Sequence, residues 1–253
     1  MTNLVKISEA NGVMEIVWNR PDKKNALSNA MYRDATAALA RAVEGKSIRV
    51  VLLASEGDSF TSGNDLADFA AASLSGDTPA AHEFIEAIIQ FPKPIVAAVP
   101  GLAVGVGTTM LLHCDLVFVA DDAKLTAPFV NLALVPEAAS SMLMPARIGH
   151  VRSFAMFALG DGFTGAQAAQ LGLANAALPK ADVIPAAREA AARLALRPLG
   201  AVMAAKKLMR DGDKILAQSR AESVVFGERL RSAEAMEAFT AFREKRPADF
   251  SKL

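Results

Sequence analysis

Apolar and polar positions change their spacing along the chain, and each change predicts an element. Leu4 to Ser8 and Val13 to Trp18 read as two strands joined at Asn11-Gly12, a dipeptide that supplies the positive φ angles a tight hairpin turn requires. Ser28 is placed to cap a helix running through Met31, Leu39 and Val43 to a stop near Gly45. Three continuous apolar runs, Val50 to Ala54, Ile95 to Val99 and Leu116 to Ala120, suit strands covered on both faces. From Thr164 the pattern turns helical. Thr164-Gly165-Ala166-Gln167 has capping-box spacing and Gly172 is a stop. Segments Ala186 to Leu196, Leu199 to Arg210, Asp213 to Leu230 and Ala233 to Arg243 follow at helical spacing, divided by Pro198, Gly212 and Ser232. No β-branched run of comparable strength appears there. The prediction is an α/β core of strand-strand-helix units with an all-helical tail.

Composition narrows the class. The chain has 253 residues, 52% of them hydrophobic, so a sizeable core is available and disorder is excluded. Lys plus Arg and Asp plus Glu each number 27, which leaves no net field to attract nucleic acid or an anionic membrane. A single cysteine, Cys114, excludes an internal disulfide framework and a multi-thiolate zinc site, and suits a reducing compartment. The N-terminus carries no basic-then-apolar secretion signal. The 21 residues from Pro94 to Cys114 lack formal charge and have the length of a membrane span, but Pro94, Pro100, Gly101, Gly105 and Gly107 interrupt them. A buried strand, a tight turn and a buried helix are predicted instead.

Candidate chemistry lies in a few places. The glycines of Gly101 to Gly107 satisfy neither dinucleotide nor P-loop spacing: Met110 stands where a third glycine belongs, and no Lys follows. They fit a strand-to-helix turn, which serves either to pack tightly or to present unpaired N–H groups to a negative oxygen. Phe60 to Leu66, with Gly63 inside it, is a second such turn, and Ser62 and Asp65 serve equally as helix caps. Two converging N–H groups are what an oxyanion hole requires. Glu137 stands among apolar residues after Pro136. It is either a first-turn helix glutamate open to water or a general base whose burial raises its pKa. His113-Cys114-Asp115 cannot converge on one atom from a helix end and is assigned to structure. His82 and His150 lack partners at metal-ligand spacing, and no GxSxG elbow exists. Arg20, Lys23, Lys24, Lys245 and Arg246 are solvated charges or phosphate partners.

Taken in order, Arg20-Pro21 through Asn25-Ala26-Leu27, Ser62-Gly63-Asn64-Asp65-Leu66, Pro92 through Gly101, Cys114-Asp115 and Glu244-Lys245-Arg246 resemble the crotonase, or enoyl-CoA hydratase/isomerase, superfamily over nearly the whole chain. The resemblance implies a spiral of β-β-α units over residues 1–195, and a helical trimerisation region over 196–253. It implies a homotrimer, or a hexamer built from two trimers. The substrate implied is an acyl-CoA thioester, with no separate cofactor, metal, nucleic acid or membrane partner. By motif position the N–H groups of Asn64 and Val106 hold the thioester oxygen. Lys24, Ala26, Leu27, Ser62, Gly63, Asp65, Leu66, Phe129, Leu132 and Lys245 line the substrate site, Lys245 reaching CoA from a neighbouring subunit.

Hydratases of this superfamily use two glutamates, and those positions align with Thr109 and Phe129. Pro136-Glu137-Ala138-Ala139-Ser140-Ser141 is similar instead to the 3,2-enoyl-CoA isomerases of peroxisomal type, which implies Glu137 as acid/base. Ala138-Ala139 departs from the usual pair, which contains Gly or Cys. The rival readings are a hydratase using Glu137 with a second group, and a non-catalytic acyl-CoA- or RNA-binding relative. The final Ser251-Lys252-Leu253 is a peroxisomal address in a eukaryote and has no meaning in a bacterium. The Ala-rich composition favours the bacterial, cytoplasmic case.

Overall fold

The computed structural model describes residues 3–65, 68 and 80–253. Strands β1 (Val5–Ala10) and β2 (Val13–Trp18) form the hairpin, and Asn11 and Gly12 take φ of 52° and 81° at its turn. On β2, Met14, Ile16 and Trp18 alternate inward and are fully buried. β2 pairs in parallel with β3 (Val50–Ser55), which pairs in parallel with β5 (Ile95–Val99), and that strand with β7 (Leu116–Ala120). β3 and β5 are buried along their whole length, as their uninterrupted apolar runs require.

Each of these three strands hands the chain to a second, smaller sheet. β4 (Ser59–Thr61), β6 (Leu102–Val104) and β8 (Lys124–Thr126) run parallel to one another, and β9 (Phe163–Thr164) closes the edge antiparallel. Gly101 shows how tight the transfer is. A Cβ there would stand 2.0 Å from the Asp58 carbonyl oxygen. The C-terminal ends of β4, β6 and β8 point the same way, and the loops that follow them build the site.

Helix α1 (Asn29–Glu44) begins where Ser28 accepts a hydrogen bond from the Met31 N–H at 3.3 Å, and stops at Gly45. It packs on α2 (Ala80–Gln90), where Phe84 meets Tyr32 and Trp18 with ring centroids 5.5 and 6.0 Å apart. The uncharged segment after Lys93 holds β5, β6 and only one turn of α-helix, α3 (Val106–Thr109), which tightens into a 3-10 turn over Met110–His113. Among the described residues no helix is long and apolar enough to cross a membrane.

Further on, α4 (Ser140–Ile148), α5 (His150–Phe154) and α6 (Gly165–Gln170) precede the tail. The capping box of α6 is complete: the Gln167 N–H donates to the Thr164 hydroxyl oxygen at 3.2 Å, and the Thr164 N–H donates to Gln167 Oε1 at 2.9 Å. The tail departs from the sequence expectation in two ways. Ala176–Leu178 forms β10, extending the large sheet beside β7; three residues without β-branched side chains give no period to read. Helix α7 (Lys180–Ala195) starts six residues before Ala186, because a stripe at Val183, Ala187, Ala191 and Ala195 is buried against β3, β5 and β7 despite Pro185. The last helices are α8 (Leu199–Met209), α9 (Gly212–Leu230) and α10 (Ala233–Glu244). Asp211 and Ser232 cap the last two, accepting from the Lys214 and Ala235 N–H groups at 3.0 and 3.1 Å.

Candidate active site

A cavity of about 900 Å³ opens at the C-terminal ends of the small sheet, lined by the loops after β4, β6 and β8 and closed by α9 and α10. This is where parallel strands ordinarily present their ligand-binding loops. Two of its lining residues follow a glycine at positive φ: Asn64 follows Gly63 at 92°, and Val106 follows Gly105 at 56°. The two turns press together. A Cβ on Gly63 would stand 3.0 Å from the Val104 carbonyl oxygen, and one on Gly107 would stand 2.5 Å from the Thr61 methyl group.

The N–H groups of these two residues are free for chemistry for different reasons. Val106 opens α3, so its N–H has no acceptor within the helix. Asn64 forms a parallel bridge with Leu27, in which the Leu27 N–H donates to the Gly63 carbonyl and the Asp65 N–H donates to the Leu27 carbonyl, both at 2.9 Å. That pairing uses the groups flanking Asn64 and turns its own N–H to the other side. Two main-chain donors on one wall can receive an oxygen that becomes negative. The Asn64 side chain is fixed separately, its carbonyl oxygen accepting from the Tyr32 hydroxyl at 2.5 Å. Burial and the charge of Glu137 hold the Tyr32 pKa well above its usual 10.0, so this phenol remains a donor.

The loop from Arg20 to Leu27 is held in shape by its own polar groups. Arg20 donates to the Ala26 carbonyl at 3.1 Å and to Asp65 at 2.7 Å, while buried Asn25 donates to the Glu56 and Ser59 carbonyls at 2.9 and 2.7 Å. These bonds stabilise the left-handed backbone at Lys24 and Asn25. Lys23, Ala26, Ser62, Gly63 and Asp65 line the cavity. Lys24 and Leu27 are not among the lining residues: the Lys24 side chain is exposed and its carbonyl accepts from the Ser62 N–H, and Leu27 is buried in the core. Leu66 lies outside the described residues. Phe129 and Leu132 line the cavity from the turn after β8. Lys245 ends α10 in a left-handed cap and is exposed; its neighbour Arg246 is the residue that lines the cavity, paired with Glu237 at 2.6 Å and Glu244 at 2.7 Å.

Glu137 is not in a helix. It sits in the loop before α4, partly buried, with its carboxylate on the cavity wall. Of the two carboxylates among the described lining residues, Asp65 is paired with Arg20, whereas Glu137 accepts from the Thr109 hydroxyl. Burial pushes Glu137 up from 4.5 to about 7; the Thr109 hydrogen bond pulls it back and the charge of Glu222 adds to the rise. The helix end that would have opposed this shift begins only at Ser140. Ala138 and Ala139 both take left-handed backbone, with φ of 57° and 56°. His113 secures the first of them: its Nε2 lies 2.8 Å from the Ala138 carbonyl oxygen, while its Nδ1 faces the Arg210 guanidinium. Burial holds His113 down to about 3, so it is neutral, donating from Nε2 and accepting at Nδ1.

Tyr32 and the aromatic wall of Phe226, Phe239 and Phe242 were missed by reasoning from sequence, whereas Arg246 was among the candidate phosphate partners. The spacing of Phe239 and Phe242 on α10 was a readable signal, but nothing local marks Tyr32. Among the described residues no three His, Cys, Asp or Glu side chains cluster as metal ligands would.

The sequence profile of enoyl-CoA hydratase/isomerase matches residues 8–252. A Rhodobacter capsulatus protein named probable enoyl-CoA hydratase is 36% identical over 251 residues, covering 97% of this chain and 96% of its own. Enoyl-CoA delta isomerase 2 of Rattus norvegicus is 31% identical over 252 residues, covering 96% of this chain and 64% of that protein. The crystal structure of an enoyl-CoA hydratase/isomerase from Pseudoalteromonas atlantica has a TM-score of 0.93 at 38% identity, covering 98% of this chain and 100% of that one.

Proposed function

The chain belongs to the enoyl-CoA hydratase/isomerase family, and within it we propose that the protein moves the double bond of a 3-enoyl-CoA to C2, with Glu137 carrying the proton. The observation that carries this reading is the count of carboxylates among the described lining residues: of the two, Glu137 is the one free of an ion pair, and the position aligned with one hydratase glutamate holds Thr109, whose hydroxyl donates to Glu137. Activating a water and protonating carbon calls on two groups; a 1,3-proton shift needs one.

In the proposed reaction the ionised Glu137 takes a proton from C2, and the electrons of that C–H bond form C1=C2 as the thioester oxygen becomes negative. The N–H groups of Asn64 and Val106 stabilise that oxygen, each by about 3 kcal/mol in a site closed to water. The electrons return to form C2=C3, the C3=C4 bond opens, and Glu137 gives its proton to C4. A pKa near 7 leaves Glu137 ionised enough to accept and acidic enough to return the proton at neutral pH. Phe129, Leu132 and Phe239 keep the acyl chain dry. The exposed ammonium groups of Lys23 and its neighbour Lys24 serve the CoA phosphates, as does Lys245. A homotrimer or a dimer of trimers, assembled through the helical tail, is part of this reading.

The test offers the purified protein a 3-enoyl-CoA and a 2-enoyl-CoA in parallel. Isomerisation of the first is expected, with hydration of the second at least about 100-fold slower, the scale of one lost acid/base group. Hydration at a rate rivalling isomerisation overturns the proposal in favour of a hydratase.

A further inference from the structure

We infer that Glu222, on α9, is a positioning residue for Glu137: it caps the helix that follows the Glu137 loop and sets where that acid meets the cavity. The inference rests on the reading of Glu137 as the acid/base. Glu222 is 6% exposed and is not among the residues lining the cavity, so it acts through the loop rather than on substrate.

The loop has a specific need for it. Helix α4 starts after Ala139, a residue with no side chain able to cap, so the first N–H groups lack a local acceptor. The Ser140 N–H donates to the Glu137 carbonyl at 3.0 Å. The next N–H, that of Ser141, donates to Glu222 Oε1 at 2.9 Å, and the Ser141 hydroxyl donates to the same oxygen. Gln218, one turn earlier on α9, donates to the Ser141 hydroxyl oxygen at 3.0 Å. Two consecutive left-handed alanines each bring Cβ too close to backbone oxygen and persist only when the surrounding structure clamps them. His113 clamps the Ala138 side and Glu222 the Ser141 side.

An amide would cap as well as a carboxylate, so the charge needs its own explanation. Burial works against the charge on Glu222 and raises its own pKa, while the hydrogen bonds from Ser141, from the Ala139 main chain and from Gln218 pull it back toward the ionised form. What the charge adds is a field at Glu137. The groups facing Glu137 from the other elements bring little: Tyr32 on α1 is a neutral phenol, Thr109 on α3 a hydroxyl, His113 a neutral imidazole, and Asp65 is neutralised by Arg20. Arg210 reaches the site only through His113. A negative Glu222 therefore makes Glu137 hold its proton to higher pH.

The experiment measures kcat and KM for 3-enoyl-CoA isomerisation from pH 5 to 9 in Glu222→Gln, Glu222→Ala and Glu137→Gln. Glu222→Gln retains an acceptor for both Ser141 donors, so it is expected to keep kcat near wild type at the optimum. Its acidic limb in kcat/KM should move down by about 0.5 pH unit or more, a shift a purely structural role would not produce. Glu222→Ala is expected to lower kcat about 10-fold or more with KM within about twofold, through misplacement of the acid. A Glu222→Gln profile that superimposes on wild type overturns the inference, and decides alone if Glu222→Ala fails to fold. Activity retained in Glu137→Gln would instead remove the acid/base reading itself. Loss of activity there beside an unmoved Glu222→Gln profile removes only the role of Glu222.

Discussion

Glu137→Gln is expected to abolish turnover and, at alkaline pH, to make the protein more stable than wild type. Both effects come from one carboxyl that titrates near 7 where an unfolded chain would titrate near 4.5. A raised pKa means that the folded state binds the proton more tightly. Its stability contribution is therefore complete below pH 4.5 and is lost as pH rises through 7. The difference corresponds to roughly 3 kcal/mol of cost once the carboxylate is fully ionised. Glutamine stays neutral and still accepts from the Thr109 hydroxyl, so the variant avoids the cost without losing the bond. The advantage of Glu137→Gln over wild type should widen by about 2.5 kcal/mol between pH 5 and pH 9. In a chain of this size that is about 5–10 °C in melting temperature. His113 titrates in both proteins, so the difference between the two denaturation curves reports Glu137 together with its coupling to Glu222 and Tyr32. Turnover should fall by about 10²–10⁴. Stability curves that run parallel from pH 5 to 9 would show an ordinary, well-hydrated carboxyl and refute the reasoning behind the acid/base assignment.

Two further substitutions probe the donors and the loop. Gly105→Ala has open space for its Cβ but a backbone at φ 56° and ψ −119° that alanine resists, so about 1–3 kcal/mol of strain falls on the peptide presenting the Val106 N–H. Its kcat should drop about 10²-fold, the scale of one oxyanion donor; steady-state rates equal to wild type would place the reacting oxygen elsewhere. His113→Leu removes the donor to the buried Ala138 carbonyl, leaving it unpaired, and one of two acceptors of the half-buried Arg210 guanidinium, which keeps its bond to the main-chain carbonyl at position 113. About 2–4 kcal/mol of stability should be lost, read as a lower denaturation midpoint, and a midpoint within error of wild type would mean that water replaces the ring.

How much of this was legible in the sequence depends on the range of the interaction that decides each feature. The hairpin at Asn11-Gly12, the capping box at Thr164 and the cap at Ser28 are settled within a few residues, and the structure has them where the pattern predicts. The buried strands β3 and β5 announce themselves by composition. What failed was decided by contacts distant in sequence. β10 exists because β7 offers it an edge, and α7 begins early because its alanines fit three strands. Glu137 stands out in the sequence as a carboxylate among apolar residues, but its two local readings, helix first turn or buried base, differ in where α4 starts. That point is fixed by His113 and Glu222, 24 and 85 residues away along the chain.

The same range argument bears on why this fold supports more than one reaction. The loops after β4 and β6 supply two main-chain donors, and backbone groups survive almost any substitution that spares Gly63 and Gly105. On the proposed reading, stabilising a negative thioester oxygen falls to the scaffold, while the choice of which carbon gains or loses a proton depends on where acids stand around it. In this chain the alternative acid positions hold a hydroxyl at Thr109 and a ring at Phe129. A carboxylate at position 109 would stand within hydrogen-bond reach of Glu137 and raise its pKa further, since two like charges in one partly dry site cannot both ionise readily. A single acid near neutrality and a second acid beside it are therefore different electrostatic states of the same cavity. In the proposed reaction the hydroxyl of Thr109 keeps this one in the state where one group can both take a proton and give it back.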